Sequence, residues 1–210
     1  MYIVHSGPPA RYIIYFPLKR IALFASGSGS NAEKIATYFA DNASVDISLI
    51  LSNNPKAGVI ERARRLHIPV LLFDRATFYD TNRITQLLIN QKIDLLVLAG
   101  FMWLMPAELV RAFPNQIVNI HPALLPKFGG KGMYGHFVHE AVVAAQETES
   151  GITIHYVNEH YDEGLIIFQA HCPVLPTDKP DDVALKVQAL EHTHYPRVIA
   201  EILAEATPKP

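Results

Sequence analysis

The sequence predicts an α/β fold, an open and mostly parallel twisted sheet with helices on both faces, and three observations carry that reading. Apolar runs recur at Ile21 to Ala25, Val45 to Leu51, Val70 to Phe73 and Leu95 to Ala99. Runs that are apolar at almost every position suit strands buried on both faces, as in parallel sheets. Segments of helical character separate them, and βαβα order places helices on both sides of such a sheet.

The elements follow in order from Arg20. Ser30-Asn31-Ala32-Glu33 has the form of a capping box and predicts the start of the first helix. Ala57 to Leu66 and Thr77 to Gln91 predict the next two helices, and Pro106 to Phe113 a short one. Ile117 to Ile120 predicts another buried strand, ended by the segment Pro122 to Gly135. Pro126, Gly129, Gly130, Gly132 and Gly135 break regular structure there, so a mobile surface loop is expected. Helix resumes over His136 to Gln146, strands over Thr153 to Val157 and Ile166 to Val174, and a closing helix over Asp181 to Ala204. The tail Thr207 to Pro210 reads as frayed.

Composition narrows the function classes. With 50% apolar and 18% charged residues the chain reads as an ordinary globular domain. At this length about 70% of the unfolded surface can be buried, so the core needs no staples. The formal charge of −2 gives no general basic face, and no nucleic-acid partner is expected. No apolar run approaches the ~20 residues of a membrane span. Cys172 stands alone, so no internal disulfide forms, and a reduced cytoplasmic setting is expected. Met1 to Pro17 lacks a leader pattern because Pro8, Pro9 and Arg11 interrupt it. Residues 1–19 are therefore read as an extension ahead of one domain over 20–206.

Ser26-Gly27-Ser28-Gly29-Ser30-Asn31 lies where the first strand hands over to the first helix. Backbone N–H groups and the positive end of the helix dipole converge there on an anion. The pattern Gly27-x-Gly29-x-x-Ala32 also fits a dinucleotide fingerprint, but the second strand ends in Ser52-Asn53-Asn54, without the carboxylate that holds a ribose. A phosphate monoester is the favoured ligand, and a tight turn that binds nothing remains open.

Asn119 and His121 leave the strand Ile117 to Ile120 at its carboxyl end, where open α/β sheets bind ligands. Period-2 alternation puts both on one face. An amide beside an imidazole can polarise a carbonyl and stabilise an oxyanion. Asp162, in the polar loop Asn158 to Gly164, is positioned in the sequence to orient the imidazole and raise its pKa. Spacing permits that meeting without establishing it, and a histidine after a strand also serves as a purely structural hydrogen-bonding group. No zinc-enzyme spacing occurs among His136, His139, Glu140, His155, His160 and His171, so no metal is expected. His136 and His139 are read as surface residues, and His155 as a supporting group.

Ser26 to Asn31, Leu98-Ala-Gly-Phe-Met102, Asn119-Ile-His-Pro-Ala-Leu-Leu-Pro126, Gly151-Ile-Thr-Ile-His155 and Asp162 occur in one order and spacing. In these motifs the chain resembles the glycinamide ribonucleotide formyltransferases of the purine pathway, within the 10-formyltetrahydrofolate transferase superfamily. The likeness runs from about Arg20 to Leu203. It implies a Rossmann-like formyltransferase fold and two small-molecule substrates, glycinamide ribonucleotide and the donor co-substrate 10-formyltetrahydrofolate. It further implies that Gly29, Ser30 and Asn31 hold the acceptor phosphate and that Gln188 and Glu191 bind its ribose. Met102, Trp103, Leu104, Met105, Asn158, Glu159, His160, Tyr161 and Asp162 would wall the donor site. Asn119, His121 and Asp162 would be the catalytic trio, with His121 cationic and no metal involved.

Some positions depart from that pattern. Trp103 stands where the family often has a basic residue, and Phe128-Gly-Gly-Lys-Gly-Met-Tyr134 differs from the shorter loop of familiar bacterial members. Related enzymes formylate methionyl-tRNA or amino sugars, or hydrolyse the donor, and they carry an additional domain that is not expected here. A folate- or nucleotide-binding module without catalysis is the alternative from another class. Monomer and homodimer both remain open.

Overall fold

The computed structural model describes residues 18–205, so most of the extension read over 1–19, and the tail, lie outside the described residues. Seven strands form one sheet in the order β3-β2-β1-β4-β5-β6-β7. They are β1 Lys19–Phe24, β2 Val45–Ser52, β3 Val70–Leu72, β4 Leu95–Leu98, β5 Ile117–His121, β6 Glu149–Tyr156 and β7 Ile166–Pro173. The first five pair in parallel, and β6 and β7 join antiparallel. The order reverses between β1 and β4, which opens a crevice at the carboxyl ends of these strands, where such sheets bind ligands.

Side-chain alternation divides the core into two layers. Ile21, Leu23, Val97, Val118 and Ile120 pack with α1 Ser30–Tyr38, α2 Val59–Arg65, α6 His136–Ala144 and α7 Pro180–Glu205. On the other face Ala22, Phe24, Leu96, Leu98 and Ile117 pack with α3 Arg75–Tyr79, α4 Arg83–Asn90 and α5 Ala107–Ala112. The buried Tyr195 of α7 reaches through the first layer, its hydroxyl 3.1 Å from both the Leu98 and the Val118 carbonyl oxygens. A single O–H is shared there between β4 and β5, tying the closing helix to the strands that bear the site.

Three expectations are corrected. The capping box does not form: Gly29 caps α1 in the left-handed region (φ 78°), and no side chain caps the helix. Glu33 instead pairs with Arg62 and, at 2.9 Å, Arg65 of α2, and two guanidinium partners outcompete a backbone N–H for one carboxylate. The helix expected over Thr77 to Gln91 is broken at Asp80 to Asn82 into α3 and α4. Thr81 Oγ1 donates to the Thr77 carbonyl (2.8 Å) and accepts from Arg83 N–H (3.3 Å), so a short polar side chain competes with the helical ladder. β6 begins at Glu149, four residues before the expected Thr153. Its Gly151 passes so close to β7 that a Cβ would lie 2.0 Å from the Ala170 carbonyl oxygen; close backbone approach requires glycine here.

Candidate active site

The crevice is a cleft of about 670 Å³ at the carboxyl ends of β1, β4 and β5. One end is the glycine turn. Gly29, Ser30 and Asn31 open α1, and a Cβ at Gly29 would sit 2.5 Å from the Val59 side chain. Only glycine fits this crossing, and its left-handed backbone turns the first helical N–H groups toward the cleft. Asn31 Nδ2 donates to Glu191 Oε2 (2.9 Å), which joins the turn to α7, and Gln188 lies one turn earlier on the same wall. Burial raises the Glu191 carboxyl above its ordinary range, against the lowering effect of the Asn31 amide.

The other end holds Asn119, His121, His155 and Asp162. Asn119 and His121 share a face of β5 as expected, and antiparallel pairing sets His155 of β6 directly opposite Asn119. Asn119 Nδ2 lies 3.1 Å from His155 Nε2, and His155 Nδ1 lies 2.9 Å from the Tyr156 carbonyl oxygen. The carbonyl requires the proton on Nδ1, so Nε2 accepts from Asn119 and fixes the orientation of the amide.

His121 Nδ1 faces Asp162 Oδ2 at 3.5 Å, while Asp162 Oδ1 is 3.7 Å from His155 Nε2. Gly130 N–H donates to Asp162 Oδ2 (2.9 Å), and His121 Nε2 donates to the Phe128 carbonyl (2.7 Å). The glycine-rich loop therefore touches both side chains. Asp162 and Phe128 hold φ of 57° and 56°, a left-handed conformation that Asp tolerates and that is uncommon for Phe.

The expected rise in the His121 pKa is not found. Burial of the ring, which is 3% exposed, holds it below the ordinary histidine value, and Asp162 and the Phe128 carbonyl only oppose this. Burial pushes the Asp162 carboxyl up, but the neighbouring His155 and His121 rings and the Gly130 N–H outweigh it and leave the group below its ordinary range. At neutral pH the pair is a carboxylate facing a neutral imidazole. A proton arriving at Nδ1 would meet the carboxylate directly.

Between the two ends, Met102, Trp103, Leu104 and Met105 form an apolar wall, faced by His160, Tyr161 and Asp162. Met102 N–H donates to Ser26 Oγ (3.2 Å), which ties this wall to the glycine turn. Trp103 packs edge-on against Phe73, with the Arg75 guanidinium 5.8 Å from its ring centre. Asn158 and Glu159 do not line the cleft. Asn158 accepts from His160 N–H within its own turn (2.9 Å), and Glu159 points outward to Arg111 (3.3 Å). His136 is exposed as expected, but His139 is not: it lines the cleft and is 6% exposed. No group of three or more metal-ligating side chains occurs among the described residues.

The sequence model of the formyl transferase family matches residues 19–199. The chain belongs to the formyl transferase family. It is 42% identical over 193 residues to a phosphoribosylglycinamide formyltransferase, chloroplastic, of Arabidopsis thaliana, an alignment that covers 89% of this chain and 66% of the plant protein. The chain thus spans slightly less than two thirds of that relative. It is 37% identical to the phosphoribosylglycinamide formyltransferase of Bacillus subtilis, over 89% of this chain and 95% of the bacterial one. The crystal structure of a phosphoribosylglycinamide formyltransferase from Anaplasma phagocytophilum superimposes with a TM-score of 0.81 at 36% identity, covering 90% of this chain and 88% of that one. The formyltransferase fold is therefore the fold of this chain.

His155 supports Asn119 as expected, whereas His139, expected at the surface, is buried on the cleft wall. The signal for His155 was its register opposite Asn119, which is invisible until β6 is known to run antiparallel to β5.

Proposed function

We propose that this formyl transferase moves the formyl group of 10-formyltetrahydrofolate onto the amine of glycinamide ribonucleotide. One observation carries the reading. A helix-end anion cradle and an oriented amide–imidazole–carboxylate cluster face each other across one cleft, with an apolar wall beside them. Relatives named phosphoribosylglycinamide formyltransferase support the same choice of substrates.

The acceptor phosphate sits on the backbone of Gly29, Ser30 and Asn31, and Gln188 and Glu191 hold its ribose. The donor's flat ring lies against Met102, Trp103, Leu104 and Met105 and is bounded by His160, Tyr161 and Asp162. The acceptor amine attacks the formyl carbon, whose C=O π pair moves onto the oxygen as an oxyanion. Asn119, held by His155, donates to that oxygen. His121 takes the proton given up by the attacking amine at Nδ1 against Asp162, and its Nε2–H passes from the Phe128 carbonyl to the oxyanion. Collapse breaks the bond to the folate nitrogen, which receives the proton given up by the amine, with Asp162 and His121 relaying it. Asn158 and Glu159 then act on the donor only through the shape of their turn.

The domain is taken as residues 20–206, and a reduced cytoplasmic setting fits the single Cys172. No described helix is long and apolar enough to cross a membrane. The reading is tested by tetrahydrofolate release from purified protein given donor alone and donor with acceptor. Release that requires the acceptor is expected, whereas equal release without it would identify a hydrolase.

A further inference from the structure

His139 stands one turn into α6, 6% exposed, on the wall of the cleft that also carries Gln188 and Glu191. Its Nδ1 is sealed from the surface and has no hydrogen-bond partner among the described residues. Its Nε2 has none either, yet is not sealed, so the ring meets the cleft through that nitrogen. A buried imidazole with neither nitrogen bonded costs stability and calls for a reason.

Burial, followed by His136 and His121, holds this ring below the ordinary histidine pKa, so at neutral pH it carries one N–H. Orphaned buried N–H groups are rarer than under-satisfied acceptors, which assigns the proton to the cleft-facing Nε2. The cleft therefore receives a neutral donor, within electrostatic reach of His121. A neutral N–H suits a neutral carbonyl better than a phosphate dianion.

We infer that His139 reads the acceptor, donating Nε2–H to the carboxamide oxygen of glycinamide ribonucleotide while the phosphate rests at Gly29 and the amine faces His121. The inference rests on the function proposed above. It gives the cleft a means of selecting the glycyl amide, which neither the phosphate cradle nor the oxyanion donors recognise.

The test is steady-state kinetics of the wild type, His139→Phe, His139→Gln and His139→Asn with both substrates. His139→Phe should raise the acceptor KM about 10-fold, the effect of one neutral hydrogen bond, and leave the donor KM unchanged. Gln places an amide N–H near the position of Nε2 and should restore most of the affinity; Asn, whose amide lies nearer the backbone, should not. Inhibition by ribose 5-phosphate, which lacks the carboxamide, should be the same in all four proteins. If His139→Phe fails to fold, the contrast between Gln and Asn still decides. An unchanged acceptor KM, a shift in donor KM alone, or an equal loss of ribose 5-phosphate binding overturns the inference. A wild type that neither binds nor formylates the acceptor overturns the functional reading and this inference with it.

Discussion

Replacing Asp162 by Asn probes the charge at the centre of the cleft with little other disturbance. Asn tolerates the left-handed backbone at this position (φ 57°) as Asp does, so the turn is preserved. The change removes one negative charge 3.5 Å from His121 Nδ1. Two unit charges about 4 Å apart interact by about 4 kcal/mol at an effective dielectric of ~20. That is an upper bound, because the carboxylate also serves Gly130 and keeps 11% of its side chain exposed. With about 1.4 kcal/mol per factor of ten, kcat should fall about 10²- to 10³-fold. The acceptor KM should move little, since the phosphate cradle lies at the other end of the cleft. Tetrahydrofolate release under saturating substrates measures the effect. A kcat within about threefold of wild type, with the variant folded, would show that Asp162 is a turn residue that does not assist His121.

Other expectations bear on the acceptor end and on stability. Glu191→Ala removes the partner of Asn31 and should raise the acceptor KM about 10- to 100-fold while sparing the donor; a change confined to the donor KM would show that α7 faces the wrong ligand. Gly29→Ala forces a Cβ onto Val59 at a positive φ and should destabilise by about 1–3 kcal/mol with loss of acceptor binding, as read by urea unfolding. An unchanged midpoint would mean that α1 and α2 separate freely. His121, His139, His192 and His194 all have their pKa lowered from 6.5, chiefly by burial. Below pH 6.5 the unfolded chain takes up these protons first, so stability is full above that pH and falls as pH drops toward the folded values. Thermal melts from pH 7.5 to 5 should show this decline and a shallower one in His139→Phe; identical slopes would remove His139 from the set.

The fold was largely legible because its central strands are buried on both faces, and apolar runs such as Leu95 to Leu98 have no other use. Asn119 and His121 were legible for a related reason, two polar residues at period 2 ending such a run. Most failures occurred where tertiary partners override a local signal, and one where a side chain competes with its own helix. Glu33 answers to Arg62 and Arg65 of another helix, and nothing in Ser30 to Glu33 records that. Thr81 divides a helix by bonding its own backbone. His139 reads as a surface residue until the packing of α6 against α7 is known. The raised His121 pKa was expected from one neighbouring carboxylate, and it failed because burial of the ring is the larger effect.

The most direct measurement is a single-turnover reaction with 10-formyltetrahydrofolate labelled at the formyl carbon and excess protein, quenched and analysed for label. The label should pass straight to the amine nitrogen of glycinamide ribonucleotide, with none attached to the protein at any time. Label recovered as formate, or bound covalently to the chain, would contradict direct transfer.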